Sequence, residues 1–242
     1  MNRWSLAAVL TLGTVVLAYD SISIAITQPV AAASATQQPL VVDFPQLGSV
    51  SIRVTRPLNG FPTISFTNSN RQPLFTARVG AGNQIFRINP EENRDGRENP
   101  ILRYLIVDGP TMGSKAVFAV AMYGGGSDCE YQGTLIGAYK GQIRSWLPKQ
   151  AFTNAEGGMY VGDLGDKRGY GFAVWNFIWG SEGHADPHHF NVKLFRFDPS
   201  LGMMVKIADM NTTGTYRTDE EALAEFGMHY PNLLRSISDF VC

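Results

Sequence analysis

The chain is poor in net charge, in cysteine and in long apolar runs, and each shortage removes a class of function. Its formal net charge is −1, with acidic and basic residues interspersed and no basic cluster. Nucleic acid is therefore excluded as the main partner, because phosphate contacts need a concentrated basic surface. After the first 35 residues no second hydrophobic span follows, so no stable membrane span remains once the leader is removed. Cysteine is limited to Cys129 and Cys242. A phosphate loop, a dinucleotide fingerprint and a zinc-protease helix are missing. The nearest thing to a nucleophile elbow, Gly180-Ser181-Glu182-Gly183, lacks the glycine two positions before the serine. These gaps turn the reading away from an enzyme.

What is present begins with an export signal over residues 1–35. Arg3 supplies the positive start, Trp4 to Ala18 the apolar core, and Ala33-Ser34-Ala35 a small-residue cleavage site. An uncleaved anchor and cleavage after Ala18 are the alternatives; Asp20 interrupts the apolar run short of the roughly 20 residues that a spanning helix needs. The protein is thus expected to be exported, to the periplasm or the extracellular space. Residues 36–48 read as a flexible N-terminal segment, and 49–242 as a single β-rich domain. The oxidising compartment permits a disulfide between Cys129 and Cys242, with two free thiols as the alternative.

Beyond the leader, short apolar stretches alternate with Gly, Pro, Asn and Asp clusters, the pattern of strands joined by turns. Ten strands are predicted, beginning with Val50 to Thr55 and ending with Met204 to Ala208. Thr218 and Glu221 form a capping box for a helix to about Phe226, and a second short helix or turn covers Asn232 to Asp239. A shift of 55 residues lays Asp108 on Asp163 and Val117-Phe118-Ala119-Val120 on Phe172-Ala173-Val174-Trp175. The predicted fold class is mostly β: antiparallel four-stranded meander repeats, an incomplete or irregular propeller-like array, with a short C-terminal helical segment. Repeat units fall near 49–90, 100–147 and 158–209.

The stretch Tyr160 to Val174, with Gly162-Asp163-Leu164-Gly165-Asp166 between apolar strands, resembles the FG-GAP and VCBS-like propeller repeats of secreted and cell-surface proteins. Leu105 to Gly109 followed by Ala116 to Val120 is a weaker copy. The resemblance covers residues 100 to 210 and implies a turn that holds calcium. Here the third and fifth positions counted from Asp163 are Gly165 and Lys167, and the late acidic position is Gly171, which leaves calcium without enough oxygens. The resemblance also implies loops presented to an envelope partner, as in members that inhibit cell-wall lytic enzymes.

Three of the four histidines sit in His184-Ala185-Asp186-Pro187-His188-His189. Imidazoles and a carboxylate are ligand types for zinc, and Asp186 with His188 is a candidate acid/base pair. Without a supporting ligand motif, a solvated or hydrogen-bonding loop is the favoured reading, and no cofactor is assigned. Glu91, Asn93 and Asp95 open like a calcium loop, yet Leu102 stands where its closing Glu belongs, so a salt-bridged surface loop is expected. Trp175, Phe177 and Trp179 alternate on one face of a strand, the first two as core and Trp179 as a contact residue. The function read from all this is a non-enzymatic protein-binding or inhibitory module of the envelope. Its loops 124–130 and 179–189 carry Asp128, Glu130, Trp179, Glu182, His184, Asp186, His188 and His189. A metal-assisted hydrolase built on the histidine loop, and a structural envelope protein, are the alternatives.

Overall fold

Periodicity of two and frequent turn residues produce three antiparallel meanders, seen in a computed structural model that describes residues 39–55, 61–80, 101–123, 130–154, 157–180, 183 and 185–235. The first sheet is β1 (Leu40–Phe44), β2 (Gly48–Thr55), β3 (Thr63–Thr67) and β4 (Pro73–Arg78), in that spatial order. The second is β5 (Ile101–Asp108), β6 (Lys115–Tyr123), β7 (Glu130–Tyr139) and β8 (Gln142–Ser145), with β9 (Ala151–Thr153) pairing farther along β7. The third is β10 (Gly158–Asp163), β11 (Tyr170–Phe177), β12 (Phe190–Asp198) and β13 (Met203–Asn211). Helix α1 (Asp219–Ala224) and a 3-10 turn at Pro231–Arg235 follow. The leader, the loop at 91–96, both cysteines, Asp128, Glu182 and His184 lie outside the described residues.

All ten predicted strands are present, and among the described residues three more were not foreseen. Residues 36–48, expected to be flexible, contain β1, which pairs with β2 and buries Phe44 to 2 % exposure. Five residues with Asp43 among them read as a lead-in, but Leu40, Val42 and Phe44 alternate onto the core. A turn with Gln46 and Gly48 at φ 71° returns the chain into β2. Lys140 and Gly141, both at positive φ, make the two-residue hairpin into β8. The segment Trp146 to Gln150 then splits the fourth strand of this sheet into β8 and β9.

The sheets stack because β6 is apolar on both faces. Val117, Ala119 and Ala121 join the first sheet in one core, while Ala116, Phe118 and Val120 join the third sheet in another. The far face of the third sheet packs Trp175, Phe177, Phe190, Val192 and Leu194 against Ala222, Leu223, Phe226 and Leu233 of the helical segment. A β-bulge serves this arrangement. Leu194 pairs with Ala208 and Phe195 with Lys206, so Ile207 is the extra residue. The slip moves the apolar side of β13 from the second core, where Met204 lies, to the third, where Ala208 and Met210 lie.

Amide side chains align the ends of the sheets. Gln150 donates through Nε2 to the Arg78 carbonyl at 2.5 Å and accepts from the Gly80 N–H at 2.8 Å, joining the second sheet to the first. Asn154 joins it to the third: its Nδ2 donates to the Phe177 carbonyl at 2.9 Å and its Oδ1 accepts from the Phe177 N–H. Asn176 completes this seam by accepting from the Asn154 N–H and donating to the Phe152 carbonyl. Asn154→Ala leaves both Phe177 backbone groups short of a partner, and is expected to cost about 2 kcal/mol. Gln150→Ala, at a more exposed seam, is expected to cost about half as much. Urea unfolding midpoints measure both; equal losses would show that burial does not set the strength of these clasps.

Candidate functional site

Each sheet is an antiparallel meander and the clasps hold corresponding ends together, so β6 ends and β7 begins beside the place where β11 ends and β12 begins. The backbone of Glu130 opens β7 at this end. The aromatic row of β11 reaches it from inside the third core. Trp175 is 1 % exposed, Phe177 3 %, and Trp179, just past the strand, 59 %. The indole of Trp179 stands with its centroid 4.5 Å from that of Phe177 at 70° between planes, an edge-to-face pair.

His188 differs from the solvated or hydrogen-bonding group expected of its loop. It is 3 % exposed, with its ring 4.7 Å from Phe177 and 5.9 Å from Trp179 between centroids. Among the described residues neither ring nitrogen has a hydrogen-bond partner. The cause is backbone pairing: the His188 and Tyr216 N–H groups each donate to the other's carbonyl at 2.8 Å, which turns the imidazole onto Phe177. Its neighbour His189 faces outward, with Nδ1 3.2 Å from the Thr212 carbonyl oxygen. Asp186 is exposed and accepts from the Gly183 N–H at 2.8 Å. Asp186 and His188 therefore do not form the acid/base pair that their spacing invites. Among the described residues, no group of three or more His, Cys, Asp and Glu is placed to hold a metal ion.

Two residues that pattern reading missed tie this end to the helical segment. Glu225 accepts hydrogen bonds from the Thr213 and Gly214 N–H groups, the Thr213 hydroxyl and the Tyr216 hydroxyl, the last at 2.5 Å. Burial works to raise its pKa, but the bonds from Tyr216, Thr213 and Gly214 outweigh it and hold the carboxyl at about 2. Tyr216 in turn is raised above its ordinary value, first by its hydrogen bond to Glu225. Thr212 adds a second tie, accepting from the Phe190 N–H and donating to the Gly214 carbonyl. Nothing in a Glu after a short helix signals a four-donor site; only the fold brings residues 213–216 to it.

Around the helix start, Thr218 Oγ1 accepts from the Glu221 N–H as expected, while the Glu221 carboxylate accepts from Arg217 rather than from the cap residue itself. Asp219 accepts from the Trp175 indole at 2.9 Å, fastening the first turn to the aromatic row. At the opposite end of the sheets the turn carboxylates are engaged by the chain. Asp163 accepts from the Gly165 N–H, Asp108 pairs with Lys115 at 2.6 Å, and Asp166 pairs with Arg196 at 2.5 Å. Desolvation would raise Asp166, yet its hydrogen bond to Arg196 prevails and its pKa is lowered. No family model matches the chain, and no curated protein matches it either.

Two outcomes follow from the partners of these groups. His188→Phe keeps the ring packing and removes two unpaired nitrogens, so the melting temperature is expected to hold or rise, by up to about 1 kcal/mol of stability; a clear fall in calorimetry would show that the imidazole has a partner. Glu225 ionises more readily folded than unfolded, so it stabilises the fold above its ordinary value of 4.5 and loses that contribution as pH falls toward about 2. Glu225→Gln is expected to be less stable than the parent at pH 7, with the gap closing over that acid range. A gap independent of pH would assign the loss to packing instead.

Proposed function

We propose that the chain is an exported, non-enzymatic protein-binding or inhibitory module of the cell envelope, and that it meets its partner at the strand ends around Trp179. The observation that carries this reading is the indole itself, 59 % exposed at the end of a row whose other members are buried. A large aromatic held open on a rigid strand end is the kind of group that anchors protein interfaces, because it adds apolar area while losing little side-chain entropy. His189, whose carbonyl accepts from the Ile178 N–H, and Asp186 in the same loop are exposed and offer a polar rim.

A hydrolytic role for His188 is disfavoured by its surroundings. A general base is oriented by a partner on its second ring nitrogen, and among the described residues neither His188 nitrogen has one. Export is part of the proposal and rests on Arg3, the apolar stretch to Ala18 and the Ala33-Ser34-Ala35 site. So is kinship with FG-GAP and VCBS-like repeats, including lysozyme-inhibitor-like members, to which the stacked meanders lend support.

A photo-activatable residue placed at position 179 is expected to give a discrete cross-linked adduct in envelope extract, while the same residue at position 201, in the turn between β12 and β13, gives none. Trp179→Ala is expected to lower capture of that partner at least tenfold, on the order of a hot-spot loss. Equal adducts at both positions, or capture unchanged by Trp179→Ala, defeats the assignment of this end as the contact surface.

A further inference from the structure

We propose that the slot formed by Phe177 and His188 beneath the Trp179 indole receives one aromatic ring bearing a hydroxyl, the side chain of a tyrosine on the partner; this rests on the reading of that end as the contact surface. The walls already hold an aromatic ring, since Phe177 and His188 both face Trp179 at ring-contact distances. Those walls are 3 % exposed while the indole over them is 59 % exposed, so the cover is far less enclosed than what it covers. The imidazole beneath it is the informative group.

A neutral imidazole carries one donor and one acceptor, and burying both without partners is penalised where a phenyl ring of similar shape would not be. The Trp179 ring covers His188 but neither of its nitrogens is paired. An apolar guest in place of the indole leaves that deficit unchanged. A phenol halves it: the ring replaces the indole against Phe177 and the hydroxyl donates to the bare nitrogen of His188. Discrimination between a ligand with the hydroxyl and one without it is what such a buried polar group supplies. The backbone bridge to Tyr216 fixes His188, so the receiving group is held in place before the guest arrives.

The test uses purified, isotope-labelled full chain titrated with p-cresol and, separately, toluene, followed by NMR at the His188 ring and the Trp179 indole. The expected result is perturbation of both residues by p-cresol and binding about tenfold tighter than toluene, the worth of one hydrogen bond to a buried group. His188→Phe is expected to abolish that preference while retaining toluene binding. Trp179→Ala is expected to bind p-cresol more tightly, because no indole has to be displaced. Equal affinity for the two probes in the parent chain, a preference surviving His188→Phe, or no response at His188 to millimolar p-cresol in Trp179→Ala overturns the proposal. The two readings fail separately. Loss of partner capture in Trp179→Ala without phenol selectivity keeps the contact surface and removes the slot, whereas phenol selectivity with undiminished capture does the reverse.

Discussion

Burial of both faces of β6 is the constraint from which the rest of the structure follows. Residues Ala116 to Ala121 are each 1 % exposed or less, so a sheet must lie against either side of this strand. A continuous apolar run in a central strand is what two-sided burial requires, and it makes the second sheet the middle layer of a stack. The neighbours then differ in what they offer on their far sides. The first sheet turns Ser51, Arg53 and Thr55, with their cross-strand partners Thr67, Ser65 and Thr63, away from the core as exposed or half-buried groups. The third sheet has a second apolar face, and the chain covers it with its own C-terminal helical segment.

That cover does more than hide apolar area. The segment after β13 continues the sheet through the His188–Tyr216 bridge, and the Tyr216 hydroxyl and the backbone of Thr213 and Gly214 then converge on Glu225. Asp219 meets the Trp175 indole from the other side. The aromatic row that ends in Trp179 is thus braced by hydrogen bonds from helix and loop alike. Charge-assisted bonds are stronger than neutral ones, and Glu225 supplies several at once. The helical cap and the end that carries Trp179 behave as one piece of structure, with His188 seated where they meet.

Much of this was readable in advance, and the failures have physical reasons. Apolar patterning located the ten strands because each has at least one face in a core and few polar interruptions. β1 escaped because Asp43 sits within five residues, and β9 because three residues carry too little periodicity to register. The alternation of Trp175, Phe177 and Trp179 led to the exposed indole, but composition led away from the state of His188. Histidines beside Asp and Pro look solvated. Only the pairing with Tyr216, 28 positions onward, buries the ring, and no local pattern reports a contact of that range. Glu225 was hidden for the same reason.

The two ends of the stack leave the strand ends, rather than a sheet face or a central channel, as the surface to which several sheets contribute. Another sheet packed on the first would have to bury Arg53 together with a row of hydroxyls, and burying such groups without partners costs more than the apolar area there returns. Another sheet on the third would have to displace Leu223, Phe226 and Leu233 from their core. Growth is therefore opposed at both ends, for different reasons, and among the described residues the sheets form an open array with no closed barrel. In such an array, the surface drawn from more than one sheet lies where aligned strands terminate. The clasps of Gln150 and Asn154 set that alignment at the end from which Trp179 projects, so the same amides that hold the layers together also place the indole beside its neighbouring strands.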